Sequence, residues 1–179
     1  MRYERQILMK QIGEKGQEKL KQATVTVVGC GGLGSPVLTY LTSAGIGKLI
    51  IIDFDEVSES NLNRQFLYGI KDIGRMKVEC AKERLQDLNH EIEIVDFHEK
   101  VSPDNIGKFI DSADVVIDCV DNLETRILLG RECLRRKIPL VEAGVEGEGA
   151  GLLEGLQGGA EGATGGQRVG GRCGGDGKA

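Results

Sequence analysis

Residues 24–28, Thr-Val-Thr-Val-Val, alternate hydroxyl and branched apolar side chains and close on two valines, the pattern of a buried strand. Short apolar runs recur at residues 49–53, 92–95, 115–118 and 139–141. Between them the apolar positions switch to helical spacing. Residues 5–22 carry Ile7, Leu8, Ile12 and Leu20. Residues 33–44 hold Pro36 in the first turn, where a missing N–H does little harm, and end at Gly45. Residues 74–88 carry Met76, Val78, Ala81 and Leu85 on one face; residues 103–111 open with Pro103, and 122–136 form the last helix. Strands alternating with helices through right-handed crossovers predict an α/β fold. The expected form is a Rossmann-like, mostly parallel sheet of about five strands with helices on both faces.

The pattern stops near Gly147. Residues 1–146 hold 13 of the 27 glycines and residues 147–179 the other 14, with three Leu, one Val and no Ile, Phe, Tyr or Trp. Such a stretch buries too little apolar area to offset its ordering entropy. Two regions are therefore expected: a nucleotide-binding domain over 1–146 and a disordered Gly-rich tail over 147–179. At 179 residues with a net charge of −5, one core is expected and a nucleic-acid surface is not. The longest apolar runs are far too short to span a bilayer, and the charged N-terminus leads into no signal core. Five cysteines, odd in number and without a C-x-x-C pair, point to reduced thiols in the cytoplasm and to no zinc site.

The chemistry gathers where strands end. Gly29-Cys30-Gly31-Gly32-Leu33-Gly34 follows the first strand and opens a helix, matching G-x-G-x-x-G in the context that motif needs. Glycines permit a tight turn and close backbone approach, and the helix N-terminus offers free N–H groups to a phosphate. Asp53 ends the second strand, placed to accept from ribose hydroxyls. NAD and ATP both fit this much. No Lys-Ser or Lys-Thr follows the glycines, so this is not a P-loop. Beyond Asp53, Arg64 and Lys77 could neutralise a polyphosphate, and Asp121-Asn122 follow the fourth strand, where a carboxylate suits Mg²⁺. Each has a plainer reading: a surface ion pair for Arg64, a solvated helix residue for Lys77, an N-cap for Asp121. Their joint place along one edge favours ATP.

With these residues in hand, the chain resembles the ThiF/MoeB/HesA proteins, relatives of the ubiquitin-activating E1 enzymes. The resemblance runs from Arg2 to about Gly147. It includes Arg2-Tyr3-Glu4-Arg5-Gln6, Gly29–Gly34 with Ser35-Pro36, Asp53 to Gln65, Asp72-Ile73-Gly74 with Lys77, Leu88-Asn89, and Asp118 to Asn122 with Thr125-Arg126. It implies ATP-dependent adenylation of the C-terminal glycine of a ubiquitin-like sulfur-carrier protein. Gly32 would face phosphate, Asp53 the ribose, and Ser60, Asn61, Leu62, Asn63 and Arg64 would form an ATP-binding segment. Lys77 would bind phosphate, and Asp121 would hold Mg²⁺ with Asn122 beside it. Arg5 would reach into a neighbouring subunit, which implies a homodimer. Past Val141–Gly147 the family pattern gives way to the glycine-rich stretch, which implies truncation and loss of much of the carrier-binding surface. Two rival readings remain: an NAD-dependent oxidoreductase, and a non-catalytic domain that dimerises without turnover.

Overall fold

Residues 25–28 and 49–52 are buried at every position, and the fold follows from covering both faces of the strands they form. The computed structural model describes residues 2–146 and 149–155. β1 (Thr24–Val28) is central, between β2 (Lys48–Ile52) and β4 (Val115–Asp118). β3 (Glu93–Phe97) lies outside β2, and β5 (Leu140–Glu146) outside β4. All four of these pairings are parallel, with Val28 level with both Ile52 and Asp118. The expected α/β fold is thus observed.

Alternation along the strands sorts the core into two layers. Val25, Val27, Leu49 and Ile51 pack under α3 (Gly34–Ala44) and α4 (Lys77–Leu88), meeting Leu38, Val78, Ala81 and Leu85. Val28, Ile50, Ile52 and Val116 face α5 (Ile106–Ile110) and α6 (Leu123–Arg136), meeting Phe109, Ile110 and Leu129. Thr26, polar within this second layer, is satisfied by donating its hydroxyl to the Phe109 carbonyl at 2.7 Å. Among the described residues no helix is long and apolar enough to cross a membrane.

Two local expectations change. The helix expected over 5–22 is two helices, α1 (Glu4–Ile7) and α2 (Gly13–Gln22). The Ile12 and Gly13 amides both turn back to the Met9 carbonyl, and Gly13 takes φ +58, which resets the chain direction. The stretch expected as tail contributes a strand, β6 (Gly149–Gly155), antiparallel to β5 with Leu140 level with Gly155. Backbone pairing needs no apolar side chains, so composition did not forecast it. The rest of that stretch lies outside the described residues. α1 sits at the edge of the sheet where strands begin. Gln6 donates to the Ala44 carbonyl at the end of α3, and Arg2 to the Leu88 carbonyl at the end of α4.

Candidate functional site

In the order β3-β2-β1-β4-β5-β6, the chain leaves β1 towards β2 and later returns to β4 on the other side. The crevice beyond the carboxyl ends of β1 and β4 is therefore the topological switch point, where open α/β sheets bind ligands. The glycine turn occupies it. The Gly29 amide donates to the Ile52 carbonyl at 2.8 Å, and the Cys119 amide to the Val28 carbonyl at 2.8 Å.

The four glycines divide by cause. Gly29 takes φ +96, and a Cβ there would lie 2.7 Å from the Cys119 carbonyl oxygen; at Gly34 it would lie 2.1 Å from the Gly29 oxygen. Those two are required by the protein's own backbone. At Gly31 and Gly32 a Cβ would meet only side chains at ordinary contact, Gln65 Nε2 at 3.5 Å and Arg64 Cδ at 3.6 Å. Bare backbone at these two positions is not required by the packing of the fold.

Asp53 is joined to that turn. Its Oδ2 accepts from the Cys30 amide at 2.7 Å and its Oδ1 from the Asp55 amide at 2.8 Å. Burial pushes its carboxyl above the usual range, opposed by those two amides and by Lys77. Each oxygen keeps a spare lone pair for a further donor. Lys77 is buried, and its ammonium pairs with the Asp55 carboxylate at 2.8 Å.

The segment after Asp53 is a shaped loop. The Asn61 side chain accepts from the Ser58 amide at 3.0 Å, the Ser58 and Ser60 hydroxyls lie 2.9 Å apart, and Leu62 packs on the core. Arg64 is exposed, but its guanidinium donates to the Ser60 carbonyl and to Asn63 Oδ1, both at 3.0 Å. That holds its stem over Gly32. Arg64 thus lies against the turn, while Lys77 is joined to it only through Asp55 and Asp53.

On the β4 side, Asp118 is fully buried. It accepts from the Val120 amide at 2.9 Å and pairs with Arg126 Nε at 3.0 Å, while Arg126 also donates to the Val120 carbonyl at 2.9 Å. This clamps the loop bearing Asp121, which is exposed. The N-cap of α6 is Asn122, not Asp121: its Oδ1 accepts from the Thr125 amide at 2.9 Å. Asn122→Ala should cost about 1 kcal/mol of stability. A urea melt would read it as a lower midpoint at unchanged slope, and an unmoved midpoint would mean that the cap contributes nothing.

Among the described residues no group of three His, Cys, Asp or Glu side chains is gathered to hold a metal. A single exposed carboxylate at Asp121 nevertheless fits Mg²⁺, which keeps waters and takes much of its shell from substrate phosphates. Cys30 and Cys119 flank the crevice but are buried and free. Burial raises both thiols, Cys119 to about 12, so both are neutral near pH 7. Arg5 is exposed on α1, at the far edge of the sheet from its own chain's turn. Sequence reasoning passed over Asp55, Gln65, Tyr68 and Asp118 as site residues. Tyr68 donates its hydroxyl to the Cys30 carbonyl at 2.7 Å, supporting the turn from beneath. The available signal was their nearness in sequence to Asp53, Arg64 and Asp121.

Comparison with known proteins places this geometry among relatives. The model of the ThiF family matches residues 3–158. The adenylyltransferase and sulfurtransferase MOCS3 of Aedes aegypti is 47% identical over 140 residues, 78% of this chain and 32% of that protein. The sulfur carrier protein ThiS adenylyltransferase of Escherichia coli is 39% identical over 153 residues, 86% of this chain and 61% of that protein. The chain thus spans less than two thirds of either relative's length. Among solved structures, E. coli tRNA N6-threonylcarbamoyladenosine dehydratase, TcdA, in complex with ATP, is 35% identical with a TM-score of 0.71, covering 74% of this chain and 55% of that one.

Proposed function

Because the chain belongs to the ThiF family, we propose that it binds ATP at the glycine turn and adenylates the C-terminal glycine carboxylate of a ubiquitin-like sulfur-carrier protein. The observation that carries this reading is one cation lying over the turn and a second, buried one joined to it by a short chain of bonds. Arg64 lies over Gly32, and Lys77 is linked through Asp55 and Asp53 to the Cys30 amide. A relative named for adenylating a sulfur carrier, and another solved with ATP, support the same reading.

A carrier carboxylate oxygen attacks the α-phosphorus. The new O–P bond forms as the bond to the oxygen bridging to the β-phosphate breaks, and pyrophosphate leaves with that electron pair. The nucleophile belongs to the substrate, in keeping with neutral thiols at Cys30 and Cys119. The work left to the protein is orientation and charge stabilisation. Gly29, Gly31, Gly32 and Gly34 bring bare backbone and the start of α3 to the phosphates. Asp53 receives the ribose hydroxyls on its spare lone pairs. Ser60, Asn61, Leu62 and Asn63 shape the segment that aims Arg64, and Lys77 supplies a second cation. Mg²⁺ at Asp121, with Asn122 beside it, would neutralise phosphate charge. The nucleotide-binding unit of this reading is residues 1–146.

Arg5, held at the opposite edge of its own sheet, can serve only a site in another copy, so a homodimer belongs to the proposal. The buried free thiols of Cys30, Cys80, Cys119 and Cys133 support a cytoplasmic setting.

Calorimetric titration separates the readings. ATP with Mg²⁺ is expected to bind more tightly than NAD, and the reverse order would favour the oxidoreductase. A carrier ending in Gly-Gly is then expected to drive pyrophosphate exchange. ATP binding without exchange for any such carrier would favour the non-catalytic domain.

A further inference from the structure

Lys77 opens α4 with only 5% of its surface exposed. An ammonium so placed is costly to bury without a counter-charge. Its partner is lopsided: the Asp55 carboxylate 2.8 Å away has half of its side chain in solvent, whereas the lysine side chain is 6% exposed. Asp55 is held by its backbone on both sides. Its amide donates to Asp53 Oδ1 at 2.8 Å, and its carbonyl accepts from the Lys77 amide at 3.0 Å. One residue therefore ties the carboxylate bonded to the glycine turn to the cation beside it. The pair is open on its acidic side, so an anion arriving from solvent competes for the ammonium where Asp55 now holds it.

We propose that Asp55 is a positioning residue: it is a stand-in anion that keeps Lys77 paired and aimed while the turn is empty, and it yields the ammonium to a phosphate oxygen when ATP binds. The inference rests on the ATP reading of the site. The lysine stem is anchored at the start of α4, so the exchange needs only rotation about its last torsions, and three N–H donors allow a phosphate oxygen to enter before Asp55 is released. No covalent bond changes. When pyrophosphate departs, Asp55 takes the ammonium back, and the buried cation always has a partner. The stand-in also opposes ATP binding, because its ion pair must be given up and its charge remains near the phosphates.

The test is titration of ATP and of adenosine into wild type, Asp55→Asn, Lys77→Met and Asp55→Asn/Lys77→Met proteins, with melting curves to establish folding. Asp55→Asn is expected to tighten ATP about two- to fivefold, the range of a partly exposed ion pair, and to leave adenosine unchanged. The gain is expected to vanish in the double variant relative to Lys77→Met alone. A folded Asp55→Asn that binds ATP more weakly or equally would overturn the inference while leaving the ATP reading intact. So would a gain that persists without Lys77. Wild type that binds adenosine but not ATP, or neither, would overturn both. Should Asp55→Asn fail to fold, Asp55→Ser carries the same expectations.

Discussion

Replacing Arg64 with alanine is expected to lower ATP-dependent pyrophosphate exchange by about a hundred- to a thousandfold, the loss typical of one preorganised charge donor. The fold should survive. Arg64 is exposed, and its partners, the Ser60 carbonyl and Asn63 Oδ1, are left to water when it goes. Stability should therefore move by no more than about 0.5 kcal/mol. Arg64→Lys should recover only part of the rate, because an ammonium keeps the charge but not the two directed bonds that hold the stem over Gly32. The same variant tests the second copy. Arg5→Ala and Arg64→Ala proteins, each weak alone, should regain part of the exchange when mixed, since a mixed dimer contains one site with both arginines. Exchange unchanged in Arg64→Ala would remove Arg64 from the site, and no recovery on mixing would remove Arg5.

The largest effect on folding is expected at Gly34. A methyl group there would stand 2.1 Å from the Gly29 carbonyl oxygen. The obstacle is backbone, not the end of a flexible side chain, and Gly29 is itself held at φ +96 with its amide bonded to Ile52. The turn must deform for the side chain to fit, so Gly34→Ala should cost about 3 kcal/mol, at the upper end of overpacking losses. Chemical denaturation checks this. Gly31→Ala provides the contrast, because its methyl group would meet Gln65 Nε2 at an ordinary 3.5 Å. That protein should fold nearly as well as wild type yet lose ATP affinity. A stable Gly34→Ala protein would mean that the turn yields more readily than its bonds suggest. Gly31→Ala with full affinity would mean that no phosphate approaches there.

Much of this was readable along the chain. β1 and β4 fall at the residues where alternation and apolar runs place them, and Gly45 ends α3 in the left-handed conformation at φ +83. Such features are local: side-chain periodicity and glycine's backbone freedom act over a few residues. The break between α1 and α2 escaped because apolar spacing continues through Leu8, which ends 69% exposed. The cap of α6 shifted from Asp121 to Asn122 because a cap is set by which side chain reaches the Thr125 amide, a matter of one residue's register. β6 escaped because a ladder pairs backbone groups, whatever side chains they carry.

The residue order by itself determined the class of fold, the turn between β1 and α3, and which charged residues were candidates, since each depends on neighbours a few positions apart. Only the tertiary structure decided that Arg64 rests on Gly32, that Lys77 is buried against Asp55, and that α1 carries Arg5 to the opposite edge. The reason is that strand order brings residues distant in the chain within bonding reach, and solvent exclusion then settles which charges must find partners.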